Sequence, residues 1–202
     1  MHIEKDLHKI KPKNRYKVVT KKTQIIIGFS QRKDDFHINR LRHKDYGNTK
    51  KWNTYSITRD GDIYEHYDPK FYSDFMGIKE VDKSSISIVI ENMGSLLKSP
   101  EGEYVNWINE KCPKKLVGEK KWLGQQYWEI FPEKQIENTI ELCKKLCDDF
   151  NIQYHAIEFH YPHKDMKKFN GVVLKSNYFE DSSSVNPLFD LIKFNELLML
   201  KE

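Results

Sequence analysis

Histidine and cysteine are the side chains from which a metal centre or a nucleophile is most readily built, and this chain carries eight of the first and three of the second. His155, His160 and His163 fall close together, but along an extended strand positions 155 and 160 point to opposite faces. His37 and His43 are not spaced i, i+4 on a helix, His66 follows a hairpin, and His2 and His8 lie in an amino-terminal arm. A catalytic zinc needs three protein ligands converging on one point, and none of these spacings supplies them locally. Cys143 and Cys147 sit at i, i+4 in a strongly helical stretch and so share a face. With Cys112 they form an odd set without a C-x-x-C pair, which reads as small buried hydrophobes rather than a zinc knuckle or a disulfide framework. Trp107, Trp122, Tyr127 and Trp128 admit two readings, a wall on which sugar rings stack or the packed core of an excursion.

Strands interleaved with helices must position these groups. Residues 23–30 (TQIIIGFS) form a short β-branched run between turn formers, the pattern of a buried central strand, and residues 84–91 (SSISIVIE) form another. Asp34 or Asp35 can cap a helix carrying Phe36, Ile38, Leu41 and Tyr46 towards a stop at Gly47. Asp60-Gly61 between residues 52–59 and 62–67 predicts a type I′ hairpin. Residues 93–131 are broken by glycine and proline yet rich in tryptophan and tyrosine, which predicts a packed excursion rather than a linker. Pro132 opens the clearest helix, 133–150, with an apolar stripe of Ile136, Ile140, Cys143, Leu146, Cys147 and Phe150. A strand over 154–160 and a terminal helix over 187–200 complete the pattern. The expected fold class is α/β, a single domain with a central mixed β-sheet flanked by helices; residues 1–22 read as an arm and 23–202 as the domain.

At 202 residues, two independent cores would be a squeeze. An aromatic share of 13% argues against general disorder. No apolar run approaches the ~20 residues of a membrane-spanning helix, and residues 1–17 hold no signal-peptide core, so a protein made and kept inside a cell is expected. Lys+Arg 34 against Asp+Glu 30 gives a net charge of +4, spread along the chain, which permits an anionic partner and lends nucleic-acid binding only weak support.

The succession of pieces resembles the type 2 N-acetylmuramoyl-L-alanine amidases, relatives of the peptidoglycan recognition proteins, and most closely amidase-like proteins of large bacterial viruses. The likeness runs in order through Ile25-Ile26-Ile27-Gly28, Arg42-His43-Lys44-Asp45-Tyr46-Gly47, the hairpin from Tyr55 to Tyr64, the strand from Ser84 to Asn92, Trp122 to Trp128, the Pro132 helix, Gly171 to Tyr178 and Asn186-Pro187-Leu188-Phe189-Asp190. It implies a zinc ion held by two histidines and a cysteine or aspartate, with an open position that activates water and polarises the amide carbonyl.

Position by position, that implied site is dismantled. The first histidine should end the strand at residues 25–27, where Gly28 stands. The second should end the late strand, where His160 fits. The third ligand should precede the terminal helix, where Ser184, Val185 and Asn186 stand, with Asp181 nearby. The expected hairpin tyrosine falls at Asn53 or Thr54, and the histidine of the following loop at Asp74 or Phe75. Glycine has no side-chain donor, and serine or asparagine is a poor zinc ligand. Lys175 would lie beside the former cleft, either as a solvated loop lysine or as a cation that takes over the metal's charge and attracts an anion.

The resemblance therefore implies an amidase-fold viral protein, in host cytoplasm or virion, that has lost zinc hydrolysis and binds a peptidoglycan fragment or a protein partner through a pocket lined by Gly28, Asn53, Asp74, Phe75, His160, Lys175, Ser184 and Asn186. No cofactor is expected on that reading. The alternatives are an active amidase whose zinc ligands are rearranged, drawing on His160, His163 and Asp181, and an interaction protein capturing an anionic small molecule or a host protein.

Overall fold

The computed structural model describes residues 1–33, 36–43, 47–179 and 186–200. The chain opens with β1 (Ile3–Glu4), β2 (Gln24–Phe29), α1 (Phe36–Arg42), β3 (Tyr55–Ile57), β4 (Ile63–Glu65), α2 (Lys79–Ser84) and β5 (Ser85–Ile90). It continues through β6 (Ser95–Lys98), β7 (Tyr104–Val105), β8 (Lys111–Cys112), β9 (Val117–Trp122) and β10 (Gln125–Glu129). It closes with α3 (Glu133–Phe150), β11 (Gly171–Leu174) and α4 (Leu191–Met199).

The apolar runs of β2 and β5 lie side by side and parallel at the centre of a six-stranded mixed sheet of order β1-β4-β3-β5-β2-β11. Only the β3–β4 pair is antiparallel. Both faces of the central strands are covered, which is why they read as continuous hydrophobic runs rather than alternating ones. On one face Ile25, Ile27, Ile86, Ile88 and Ile90 pack against Ile140, Cys143, Leu146 and Cys147 of α3 and Phe194 and Leu198 of α4. On the other, Ile26 and Val173 meet Met76 and Val81. Each such side chain removed from water is worth about 1.5–3 kcal/mol before entropy is counted. The three cysteines are buried and unpaired, and burial pushes the Cys112 thiol up to about 11.

α3 forms over the span its periodicity predicts, and its first turn is anchored by the buried Gln135, whose Nε2 donates to the carbonyls of Thr58 and Glu91 at 2.9 Å each. The terminal helix starts later than expected. The Asp190 carboxylate caps it by accepting from the Lys193 N–H at 3.0 Å, so residues 187–189 precede it as a turn. Residues 1–22 run back over the domain: Ile3 pairs with Ile63, and Tyr16 bridges to Tyr72. None of the helices among the described residues is long and apolar enough to cross a membrane. Asp34, Asp35 and Tyr46, expected to cap and line α1, lie outside the described residues, whereas Ile38 and Leu41 are buried.

Three expectations are corrected. The turn at Asp60-Gly61 is not type I′, because only Gly61 has positive φ (87°). Thr58 accepts from the Gly61 N–H and donates to the Asp62 carbonyl, both at 3.0 Å, which is a three-residue hairpin loop. The two-residue turn with both φ positive falls instead at Leu123-Gly124, between β9 and β10. Second, the excursion is not irregular: residues 95–129 form a second, antiparallel sheet of order β8-β7-β6-β10-β9. Third, the late strand over 154–160 is not formed. That segment is reduced to a parallel Ala156–Val172 bridge on the edge of β11 away from β2, with the Ile157 N–H donating to the Val172 carbonyl and the Val172 N–H to the His155 carbonyl. Gly171 allows this approach, since any Cβ there would overlap the His155 carbonyl oxygen.

Candidate functional site

In open α/β sheets, ligands are received at the carboxyl ends of the parallel strands, and here those ends belong to β3, β5, β2 and β11. β11 runs parallel to β2 with Leu174 opposite Ile27, so the next residues, Lys175 and Gly28, come side by side. Both follow by two the residues Val173 and Ile26, which face α2 and the Met76 loop, and the pleat keeps them on that face. An ideal Cβ placed on Gly28 would lie 3.6 Å from Phe75 Cζ and 3.8 Å from Lys175 Cδ. The Lys175 ammonium stands 5.5 Å from the centre of the Phe75 ring. Gly28, Phe75 and Lys175 thus form one corner at the strand ends, with the lysine stem filling the space a β2 side chain would have used.

Phe75 is held by its neighbours in the loop. The Asp74 N–H donates to the Lys50 carbonyl at 2.8 Å, and its carboxylate accepts from the Tyr16 hydroxyl at 3.1 Å, which raises the tyrosine pKa. On the other side the Met76 N–H donates to Asp82 Oδ1 at 2.7 Å. Asp82 is buried, and desolvation pushes its carboxyl up to about 6. Asp74 therefore supports Phe75 through the loop backbone.

Among the described residues, Asn53, His160 and Asn186 do not join this corner. Asn53 is fully buried and donates to the Tyr55 carbonyl at 2.6 Å and to Ser56 Oγ at 2.8 Å. Ser56 Oγ in turn lies 2.7 Å from His66 Nε2, and His66 Nδ1 lies 2.8 Å from the His8 carbonyl oxygen. The Ser56–His66 spacing is that of a nucleophile and its base, but both are 0 % exposed, so the pair ties the arm to the sheet and meets no substrate. His160 turns towards Trp122, ring centres 5.9 Å apart, and lines a cavity of about 490 Å³ with Lys120, Glu158 and Pro187. Burial, then the Lys120 charge, lowers its pKa to about 4, and its Nδ1 is buried without a hydrogen-bond partner. Asn186 is 0 % exposed; its amide donates to Asn92 Oδ1 and the Glu129 carbonyl at 2.8 Å each, and its Oδ1 accepts from the Leu188 N–H at 3.0 Å. Ser184, Val185 and Asp181 lie outside the described residues.

β11 pairs with β2 and is followed by Lys175, whereas His160 follows the short segment bridged to the other edge of β11. The sequence pattern could not distinguish the two segments, since both are short, apolar and bounded by turns. The aromatic residues of the excursion do not gather into one wall either. Trp128 is core, Trp122 faces His160, and the exposed Trp107 donates to the Gln31 carbonyl at 3.0 Å. Sequence reading missed the charged cluster at the end of β5, where Arg59 bridges Glu129 at 2.7 Å and approaches Glu91 at 3.7 Å. The signal available was Glu91 directly after an apolar run.

Of the positions expected to hold zinc, only Gly28, His160 and Asn186 belong to the described residues. Gly28 offers no side-chain donor, and the Asn186 amide is engaged in structural hydrogen bonds. Among the described residues, no three His, Cys, Asp or Glu side chains come close enough to hold a metal. His160 and His163 line separate cavities, the second with Ile78, Met166 and Tyr178.

Comparison with solved structures places the fold. The N-acetylmuramoyl-L-alanine amidase LysC from Clostridium intestinale URNW superposes with a TM-score of 0.56 at 11% identity, covering 100% of this chain and 99% of that one. A mutant endolysin from Bacillus subtilis gives 0.57 at 15% identity and 98% of each chain. The Staphylococcus aureus hydrolase AmiA, solved in complex with its ligand, gives 0.57 at 8% identity, covering 98% of this chain and 82% of that one. At such identities the likeness is one of fold. No curated protein matches the chain. The sequence profile of one family does match, over residues 17–171, and by that match across most of its length the chain belongs to the N-acetylmuramoyl-L-alanine amidase family.

Proposed function

We propose that this chain is a viral member of the amidase family that binds peptidoglycan through the corner at the ends of β2 and β11 and does not hydrolyse it by zinc chemistry. The observation that carries the reading is the donor set, a glycine where a zinc amidase needs its first imidazole and an engaged asparagine at the position of its thiolate or carboxylate. Fold and activity are separable, because reacting residues are grafted on a scaffold. The family's ligand, peptidoglycan or a muropeptide, is the ligand such a scaffold inherits, and the protein would meet it from the host cytoplasm or as part of a virion.

The test combines three measurements on the purified chain: sedimentation with insoluble peptidoglycan, release of new L-alanine amino termini, and zinc content. Co-sedimentation without release, and without stoichiometric zinc, is expected. Stoichiometric zinc that chelators remove, together with cell-wall cleavage, would overturn it. Failure to sediment, with capture of a host protein or an anionic small molecule instead, would favour an interaction protein.

The second reading is an active N-acetylmuramoyl-L-alanine amidase. What favours it is the company the fold keeps, since similar structures are described as an N-acetylmuramoyl-L-alanine amidase and an endolysin. Hydrolysis would then draw ligands from His160, His163 and Asp181. The separate cavities of the two histidines weigh against that set. Release of stem peptides abolished by His160→Ala would support it, and release indifferent to that substitution would sink this ligand set.

A further inference from the structure

Lys175 is the cationic group at the strand-end corner, and its charge is not neutralised by any carboxylate among the described residues. The acids of the loop and helix that adjoin the corner are already engaged: Asp74 by the Tyr16 hydroxyl and Asp82 by the Met76 N–H. Its stem is fixed rather than free, packed against Gly28 and half-buried, and the ammonium lies over the face of Phe75. An aromatic face holds a cation in place without cancelling its charge for other partners. Half-burial lowers the local dielectric and strengthens any contact the ammonium makes with an anion.

We infer that Lys175 is the specificity-determining residue of this corner, and that it selects a peptide bearing a free carboxylate, received at the ends of β2 and β11 with the Lys175 ammonium as donor. The inference rests on the peptidoglycan-binding reading and narrows it to the carboxylate-bearing stem peptide. Two chemical features match that ligand. A compact ammonium with three donors suits the point-like end of a carboxylate. Half-buried Phe75 offers an apolar surface for a small side chain such as that of alanine.

The experiment is calorimetric titration of the full chain with the synthetic stem peptide L-alanyl-D-isoglutaminyl-L-lysyl-D-alanine and with its carboxyl-terminal amide, alongside sedimentation with insoluble peptidoglycan. Wild type should prefer the free acid by about tenfold, the scale of one charge-assisted hydrogen bond, and the preference should shrink as salt is raised. Lys175→Gln should abolish the preference while leaving amide binding and the thermal midpoint in place, and Lys175→Arg should retain part of it. Equal binding of acid and amide by wild type, or a preference that survives in Lys175→Gln, overturns the inference while wall sedimentation leaves the broader reading standing. Binding of neither peptide overturns the inference too; if sedimentation is also lost, the peptidoglycan reading falls with it.

Discussion

Replacing Arg59 by leucine should cost about 3–5 kcal/mol of folding stability, the range for leaving one member of a buried ion pair without its partner. Arg59 stands in the hairpin loop of the first sheet, and its guanidinium reaches Glu129 at the end of β10 in the second. Nε donates to Oε1 at 2.7 Å and Nη2 to Oε2 at 2.9 Å, the two-pronged geometry that makes arginine–carboxylate pairs strong. Glu129 is 1% exposed, so water cannot replace the lost cation. Its Oε2 also accepts from the Met93 N–H, and Asn92 and Asn186 donate to its backbone carbonyl, so the pair sits at a junction of three segments. Against a total stability of roughly 5–15 kcal/mol, the loss is a large fraction, and at about 2–4 °C per kcal/mol for a chain of this size it should lower the thermal midpoint by about 6–20 °C. Urea unfolding of Arg59→Leu, Glu129→Leu and the double variant closes a cycle, and the double variant should lose less than the two single losses added together, by more than ~1 kcal/mol. A loss below ~1 kcal/mol for Arg59→Leu, with additive behaviour in the cycle, would refute the reasoning and class the fork with exposed ion pairs.

Three further outcomes follow from local geometry. Gly28→Ala should be neutral or stabilising by up to ~1 kcal/mol, because the new Cβ makes ordinary contacts and the backbone is not in the left-handed region, whereas Gly171→Ala should destabilise by more than that; thermal midpoints compare them. Lys22 is buried, donates to the carbonyls of Phe71 and Lys83, and desolvation lowers its pKa to about 7. Between that value and its unfolded value the unfolded chain binds the extra proton, so stability should rise with pH from about 7 towards 10, and Lys22→Met should flatten that slope in urea titrations. Asn186→Asp, the substitution that would restore a family-like carboxylate, should instead cost more than ~2 kcal/mol, since it turns two donated hydrogen bonds into contacts between acceptors; an unchanged urea midpoint would contradict this.

What the sequence discloses and what it hides divide along a physical line. α3 is legible because eighteen residues with one apolar stripe leave no competing period, and β2 and β5 because two-sided burial demands an unbroken aliphatic run. The second sheet is not, because its strands are two to six residues long and rich in lysine, tyrosine and tryptophan, with pairing that only the assembled fold specifies. The turn residues mislead in a similar way: Asp60-Gly61 has the composition of a type I′ turn, but the hairpin register closes over three residues, while Leu123-Gly124 adopts the left-handed pair despite leucine's cost there.

The site shows the same division more sharply. Which residue ends the strand beside β2 is a question of register, and register is set by contacts far apart in sequence. Residues 154–160 are bridged through residues 155–157 to one edge of residues 171–174, whose other edge lies beside β2. The first holds buried Ala156 and Ile157 but also Glu158 and His160, while the second is Gly171-Val172-Val173-Leu174, all buried. The second, flanked on both edges, is the more deeply buried, and the glycine at its start lets it approach the His155 carbonyl. The pairing of β11 with β2 brings Lys175 beside Gly28 with its ammonium over the Phe75 ring, while His160, beyond the bridged segment, lines another cavity; neither placement can be read from residue types alone, because each follows from which strands pair.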